Sequence, residues 1–457
     1  MDQLPTEILW SIDQHFDRSE TRWALSQCSR RLHVLFGPLV FSSLVGWHPH
    51  PGLVKHLWRH PDLASSVQNV EFEFYACQCD PLDESNEDEE YEGGDLIEKM
   101  VNEVCSWPML RLEWKCHLVK KCPDAWLAVL LSCLTCLHSI TLNPHGVAQF
   151  VPEPFQVVPS FDQRKAFIEW TLPDPPAGTQ AFCFPFLQTI KVNGEDEGLG
   201  PSSRFATSLL FFPAIRRIQY HGLWGFGREL IAVMDSLESR GMQDGASLGK
   251  LTHFQVEIGN RMDLDWQMYL FRPGAFRHLL LPSKDTLQIL SLDFDRLHRY
   301  RVNCCGIDRY LPRDTITDNH PFGSLKDFHV LKELKMRHAN LVGLPYFKWR
   351  RDSDVHVDLH GDLNGYPRQC LIDILPSSLA SLTITEISWT FLQALISDVE
   401  ALLNAKAKEM PCLEHITLHV YTERRHFRMV TVFLDSLGLV AQGMGVRMVY
   451  ELQELEF

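Results

Sequence analysis

One apolar pattern recurs nine times along this chain of 457 residues and limits its possible folds more than any other feature. Each copy has apolar side chains at positions 1, 4 and 6 of a six-residue stretch. Because side chains alternate along a strand, positions 4 and 6 share one face and position 5 lies on the other. The pattern predicts nine short strands, each with one buried face. The copies begin at Val67, Leu137, Leu187, Ile215, Leu251, Leu287, Leu331, Leu379 and Leu413.

The spacing of the copies predicts what lies between the strands. Successive copies are 70, 50, 28, 36, 36, 44, 48 and 34 residues apart. The shorter intervals suit one strand and one helix per unit. The longer intervals imply insertions or, in the first case, a further strand near residues 110–114. Amphipathic spacing predicts helices at residues 228–240, 389–405 and 427–437, and a closing strand at residues 446–452.

Strands that alternate with helices predict an α/β fold class with a parallel sheet. The strand pattern is the one found in leucine-rich repeats, so we expect an irregular leucine-rich-repeat-like solenoid whose strands line one concave face. The asparagine ladder of regular repeats is missing, and His145 stands at one equivalent site. A doubly wound α/β domain is the competing architecture.

The N-terminus predicts three short helices. Pro5 suits the first turn of the first helix, because its missing N–H would be unpaired there. Asp17 can cap a second helix that buries Trp23, and a third helix over residues 26–36 is expected to stop at Gly37 and Pro38. So small a core normally needs a partner or a neighbouring domain.

These residues resemble an F-box. Two stretches carry the likeness, namely Leu4-Pro5-x-Glu7-Ile8-Leu9-x-x-Ile12 and Leu25-Ser26-x-Cys28-Ser29-Arg30-Arg31-Leu32. Residues 53–67 are similar to the linker through which fungal F-box proteins enter a leucine-rich array. The resemblance implies an F-box at residues 1–45, a helical linker at 46–66 and the solenoid at 67–457.

F-boxes dock onto a Skp-type adaptor in Skp–cullin–F-box ubiquitin ligases. The resemblance therefore implies a non-catalytic substrate receptor that binds this adaptor and, through it, a cullin. Two alternatives stay open: an adaptor-binding interaction scaffold outside the ligase, and an α/β enzyme. The adaptor-binding residues that the resemblance implies are Leu4, Pro5, Ile8, Leu9, Ile12, Leu25, Leu32 and Leu35.

Strand alternation predicts which side chains meet a protein substrate. Residues between the buried positions point out of the concave face. They are polar, with an acidic patch followed by a basic one, and charge complementarity of this kind selects partners. The candidate substrate-binding residues are Lys191, His221, Glu257, Asp293, Asp295, Lys335, Arg337, His419 and Tyr421.

Composition excludes several functional classes. The net charge of −15 argues against a nucleic-acid-binding protein, which needs clustered basic residues.

Nine acidic residues between Asp80 and Asp95 predict a disordered insertion at about 80–95. The longest apolar stretch, residues 125–137, is too short to span a membrane. The first residues do not read as a secretory signal, so the 13 cysteines are expected to be reduced, in the cytoplasm or the nucleus.

Three motifs could carry chemistry, and each has a simpler explanation. Cys133-x-x-Cys136 could bind zinc but lies in an apolar run, where buried thiols are common. His356-x-Asp358-x-His360-x-Asp362 could bind a metal but fits an exposed loop edge. The glycines between Gly222 and Gly227 lack the dinucleotide-binding spacing. The sequence therefore predicts no catalytic residue, metal or cofactor.

Overall fold

A computed structural model gives the fold of the chain. It describes residues 4–6, 8–9, 19–46, 48–75, 94–105, 110–145, 184–194, 212, 214–223, 250–258, 273–294, 321–344 and 369–454. The described residues divide into two compact units, of which the first ends at Ile215 and the second begins at Arg216.

The first unit contains four parallel strands in sequence order. The strands are β1 Ser43–Gly46, β2 Asn69–Tyr75, β3 Ser139–His145 and β4 Thr189–Asn193. The helices are α1 Ser19–Ser26, α2 Arg30–Val40, α3 Pro51–Arg59, α4 Pro61–Ser66, α5 Gly94–Val104, α6 Arg111–Val119 and α7 Pro123–Cys133. The long apolar stretch of the sequence forms most of α7, whose residues from Ala125 to Leu131 are all buried.

The second unit contains seven strands, again parallel and in sequence order. They are β5 Arg217–Leu223, β6 His253–Ile258, β7 Ile289–Phe294, β8 Glu333–Arg337, β9 Ser381–Ser388, β10 His415–Thr422 and β11 Arg447–Glu454. The helices are α8 Pro273–Leu280, α9 His338–Val342, α10 Leu371–Ile374, α11 Leu392–Asn404, α12 Lys406–Glu409 and α13 Phe427–Gly443, with 3-10 turns at Leu281–Ser283, Trp389–Phe391 and Arg424–His426.

The nine predicted strands are strands β2 to β10, and the closing strand predicted at residues 446–452 is β11. Every residue at positions 1, 4 and 6 of the nine copies is buried, with no more than 3% of its surface exposed. The fourth positions also face one another across neighbouring strands, as Phe254 does with Leu290 and Leu334 with Leu382. Burial of each such side chain stabilises the fold by about 1.5–3 kcal/mol. The mixed α/β fold class with a parallel sheet is therefore confirmed.

A backbone ladder joins successive copies of the pattern. In seven of the nine copies the carbonyl oxygen of position 2 accepts the N–H groups of positions 2 and 3 of the next copy. The Thr252 carbonyl, for example, accepts from the nitrogens of Gln288 at 2.8 Å and Ile289 at 3.1 Å. The same arrangement recurs in both units, at Gln68 and at Lys332 among others.

Three sequence predictions in the N-terminal half are wrong. Residues 110–114 form no strand; they lead into α6, where Trp114 and Leu118 are buried at helical spacing. The third N-terminal helix begins at Arg30, because the Ser29 hydroxyl accepts a hydrogen bond from the Leu32 nitrogen at 3.2 Å. It continues through Gly37 and Pro38 to Val40, because Leu39 beyond the proline packs against the helical core.

Other element bounds also differ from the predictions. The short strand β1 was not predicted, since four residues carry no clear period. The helix expected at residues 389–405 begins as a 3-10 turn and becomes α-helical at Leu392. Helix α13 runs six residues beyond its predicted end. Helix α5 already begins at Gly94, inside the predicted acidic insertion, whose residues up to 93 lie outside the described part of the chain, as does the helix predicted at 228–240.

Candidate functional site

The N-terminal helical unit, which we define as residues 4–6 and 8–9 with α1 and α2, has a small apolar core. Leu9, Leu32 and Phe36 are buried at its centre. Two of the eight predicted adaptor-binding residues, Leu9 and Leu32, therefore stabilise the unit itself. The apolar residues packed around this core are partly buried, and they are Leu4, Leu25, Leu35 and Leu39.

The same unit exposes large apolar side chains to solvent. Ile8 is 47% exposed, Trp23 is 53% exposed and Val34 is 76% exposed. Pro5 is exposed as well, whereas Ile12 lies outside the described residues. The prediction that the second helix buries Trp23 is wrong, because α1 turns Ser26 rather than Trp23 inward.

Sequence reasoning also missed Val34, although its spacing could have revealed it. Leu32 and Phe36 are one helical turn apart and share the buried face of α2. Val34 stands two residues from each of them, which places it on the far side of a helix with 3.6 residues per turn.

One side chain ties the first residues of the chain to α2. Arg31 donates a hydrogen bond from Nη2 to the Leu4 carbonyl oxygen at 2.8 Å and approaches the Thr6 hydroxyl at 3.4 Å. Because these bonds hold residues 4–6 against α2, Ile8 is carried on an anchored segment. The three exposed apolar side chains are therefore presented by one small, internally bonded unit.

The second candidate region is the open face of each sheet, which we define as the half-exposed side-chain rows that alternate with the buried ones. In the first unit, His145 and Glu73 lie 2.6 Å apart across β2 and β3. Asn193 donates from Nδ2 to Oδ1 of Asn143 at 2.7 Å. Lys191 on β4 is half-buried on this face, as predicted from strand alternation.

In the second unit, the central row of the open face is almost neutral. Its members stand opposite one another in consecutive strands and, except for one lysine, carry amide or hydroxyl groups. They are Gln219, Gln255, Ser291, Lys335, Thr383 and Thr417. This row offers both hydrogen-bond donors and acceptors to a ligand.

The next row toward the carboxyl ends of the strands is charged. His221 Nδ1 lies 2.9 Å from a carboxylate oxygen of Glu257, and Glu257 stands opposite Asp293 in the ladder. Farther along the sheet, His419 lies 3.6 Å from Glu451. Both histidines were predicted on this face, and each has a carboxylate partner on a neighbouring strand.

An ion-pair cluster stands at the centre of this row, on β7, β8 and β9. Lys335 Nζ lies 2.7 Å from one carboxylate oxygen of Asp293, and the Thr385 hydroxyl donates to the other at 3.1 Å. Arg337 Nε lies 2.6 Å from a carboxylate oxygen of Glu386. The sequence predicted an acidic patch followed by a separate basic one. In the structure the acidic and basic side chains instead lie within hydrogen-bond distance of each other and neutralise each other's charge.

A β-bulge in β9 creates this cluster. Glu386 has a φ of 51°, and the pairing of β9 with β10 shifts register between Leu418 and Val420. The extra residue places both Thr385, whose buried hydroxyl bonds to Asp293, and Glu386 on the side of the open face. Strict alternation would place residue 386 on the buried face, so sequence reasoning missed Glu386. A left-handed glutamate costs backbone energy, which its bond to Arg337 offsets.

The structure thus brings together three predicted substrate-binding residues, Asp293, Lys335 and Arg337. It pairs His221 with Glu257 and leaves Tyr421 half-buried on β10. Asp295 lies outside the described residues.

No family model and no curated protein matches the chain. Among the helices that the structure describes, none is both long enough and apolar enough to cross a membrane.

The two cysteines considered for zinc, Cys133 and Cys136, are both half-buried. The Cys133 thiol donates to the Leu130 carbonyl oxygen at 3.0 Å, and burial raises the pKa of this thiol to about 12. In the described part of the chain, no three His, Cys, Asp or Glu side chains form a metal-binding group. The motif at residues 356–362 lies outside that part, as do residues 224–227 of the glycine motif.

We expect Arg337→Ala to destabilise the second unit by about 2 kcal/mol, because it leaves the Glu386 carboxylate without its ion-pair partner. This value allows for the 12% and 13% exposure of the two side chains. Lys335→Ala is the matched control, since its side chain is 41% exposed and Asp293 keeps its hydrogen bonds from the Thr385 hydroxyl and the Phe294 nitrogen, and it should cost less than about 0.5 kcal/mol. Urea unfolding of both variants measures this difference, and equal losses would contradict it.

Proposed function

We propose that this protein is the substrate-recognition subunit of a Skp–cullin–F-box ubiquitin ligase. The proposal rests on the F-box resemblance of the first residues and on one observation of structure: the N-terminal helical unit exposes Ile8, Trp23 and Val34. Exposed apolar side chains on so small a unit favour a protein-docking role, because leaving them in water is costly.

The division of side chains within the unit supports an adaptor contact. Leu9, Leu32 and Phe36 hold the helices together, while Ile8 and Trp23 remain available to a partner. Tryptophan is among the residues that contribute most to interface energies, since its large ring excludes water over a wide area. We therefore assign the adaptor contact to Pro5, Ile8, Trp23 and Val34, with Leu4, Leu25 and Leu35 at its margin.

The parallel strands and the recurring backbone ladder support the finer assignment of the array as an irregular leucine-rich-repeat solenoid. In this proposal the open face holds the substrate. The neutral row would accept backbone groups of a bound segment, and the charged row would select its side chains. Because the charges of the cluster on β7, β8 and β9 are already paired, a substrate that binds there must replace these ion pairs with its own. This requirement favours a partner with both acidic and basic residues.

The proposed mechanism is proximity. Holding a substrate beside a charged ubiquitin-conjugating enzyme turns a bimolecular encounter into an effectively intramolecular one. In this mechanism the chain contributes two binding surfaces, and none of its side chains takes part in the transfer of ubiquitin.

Co-purification tests the proposal. The wild-type chain should retain a Skp-type adaptor and, when a cullin is added, the cullin as well. Ile8→Glu should lose both, because it places a charge in the apolar contact. Leu112→Glu changes an equally apolar exposed side chain in α6 and should retain both. Retention of adaptor without cullin would favour a scaffold outside the ligase, and no retention by the folded wild-type chain would overturn the proposal.

A further inference from the structure

Helix α13 has a second apolar face besides the one it buries. Val430, Leu434, Leu437 and Ala441 form its buried row. An arc on another side of the helix, which we name the apolar flank, carries exposed side chains that no described element covers. Val432 is 62% exposed and Leu439 is 71% exposed, and the other large members are Met429, Phe433, Val440 and Met444.

The apolar flank has the size of an interface. With the exposures above, its side chains present roughly 500 Å² of apolar surface, near the largest patches of ordinary monomers. A standard protein interface buries about 800 Å² per partner, and in homodimers about 65% of that area is apolar. The flank and a polar rim therefore supply what a stable pair of identical chains needs.

The order of residues on the flank makes it complementary to itself. Ser436 lies at its centre, and the large side chains are placed symmetrically around it. If two copies of α13 cross antiparallel at Ser436, Val432 of one copy meets Val440 of the other, and Phe433 meets Leu439. Met429 then meets Gly443, where a side-chain carbon would touch nothing within 4 Å in the single chain. Small residues at the crossing allow close approach of the helices, and a large side chain faces a small one.

Charge also favours a second copy over a membrane. The flank itself contains no charged residue, and the two charged residues of α13, Arg428 and Asp435, lie outside it. Asp435 is held by the Tyr450 hydroxyl, which donates to its carboxylate at 2.6 Å. A helix that lies on a lipid surface normally carries several lysines and arginines beside its apolar face, and α13 has a single arginine.

We infer that the apolar flank of α13 joins two copies of this chain into a two-fold symmetric dimer, with Ser436 at the axis. This interface uses no residue of the N-terminal helical unit, so the inference does not rest on adaptor binding. A pair of chains joined there would carry two open faces and would bind a substrate with two recognition segments more tightly than one chain does.

Sedimentation of the full chain without adaptor tests the inference. The wild-type chain should have twice the mass of one chain at micromolar concentration. Leu439→Glu should raise the dissociation constant roughly a hundredfold, because it buries a charge in the interface. Gln442→Glu, at an exposed position outside the flank, should leave the constant unchanged. A wild-type monomer, or equal effects of the two variants, would overturn the inference.

Cross-linking tests whether Ser436 lies at the two-fold axis of the dimer, and it needs no variant that disrupts the interface. Ser436→Cys should form a disulfide with its own counterpart under mild oxidation, because residues at a two-fold axis lie within bonding distance. Gln442→Cys is the control and should not. Mass spectrometry must identify the linked peptide, since other exposed cysteines such as Cys28 and Cys412 are present. Equal cross-linking of both variants, or a monomer that sediments with neutral-lipid vesicles, would contradict the dimer.

Discussion

Leu382→Ala is expected to lower the free energy of unfolding of the second unit by about 3 kcal/mol. Leu382 is the fourth residue of its pattern copy, has no exposed surface and stands between Leu334 and Ile416 in the ladder. Its replacement removes buried apolar surface and leaves a cavity that neighbours on three strands cannot easily fill. Because the same position recurs in every copy, the result measures how much one copy contributes to the fold.

Hydrogen exchange across a urea series, followed by mass spectrometry, measures this loss for the second unit separately from the first. Thr383→Ala is the matched control, because Thr383 is the next residue along β9 and lies on the open face. It should change the free energy of unfolding by less than about 0.5 kcal/mol. A similar loss for both variants would contradict the assignment of the two faces.

Trp23→Ala is expected to weaken adaptor binding by about 3 kcal/mol, or roughly a hundredfold in the dissociation constant. The indole is half exposed in the free chain, so its removal should cost little stability. Leu9→Ala is the contrasting variant, since Leu9 is buried in the core of the same helical unit. It should lower the stability of that unit and weaken binding only through unfolding.

Calorimetric titration with the Skp-type adaptor, together with thermal unfolding of each variant, separates the two effects. Trp23→Ala should keep the unfolding temperature of the wild type and lose affinity. If Trp23→Ala binds as tightly as the wild type, Trp23 is not in the adaptor contact. If both variants lose stability equally, the division between core and docking residues is wrong.

The sheet could be predicted from the sequence because the same buried apolar positions recur in each copy of the pattern. Three apolar positions in each copy, such as Leu287, Leu290 and Leu292, place one strand and one buried face regardless of the insertions between copies. The backbone ladder could not be predicted, since its donors and acceptors are main-chain groups that any residue supplies. The bulge at Glu386 was hidden for a related reason: one extra residue reverses the orientation of its neighbours and leaves no clear sign in the side-chain pattern.

The candidate sites were predictable to different degrees. The open face followed from strand alternation, but the direct pairing of Lys335 with Asp293 required the register of two strands. In the N-terminal unit, spacing alone could not divide eight apolar residues between a core and a docking surface. The exposure of Trp23 depends on how α1 is rotated about its own axis where it packs against α2. The eight residues of α1 are too few to predict this rotation.

The exposure of the apolar flank of α13 could not be predicted from its sequence either. Its sequence is apolar on more than one side, and a helix of this kind is usually read as buried all round. The structure instead buries one row and exposes another, so a fully buried helix and a docking helix have similar sequences. Only the exposed fractions of Val432 and Leu439 distinguish the two cases.

The central claim, that the N-terminal helical unit docks onto a Skp-type adaptor, is tested most directly by hydrogen exchange of the whole chain with and without that adaptor. We predict slower exchange in peptides that cover residues 4–9 and 19–40, and unchanged exchange in β5 to β11. Unchanged exchange at residues 4–40 in the presence of saturating adaptor, or protection confined to the second unit, would contradict the claim.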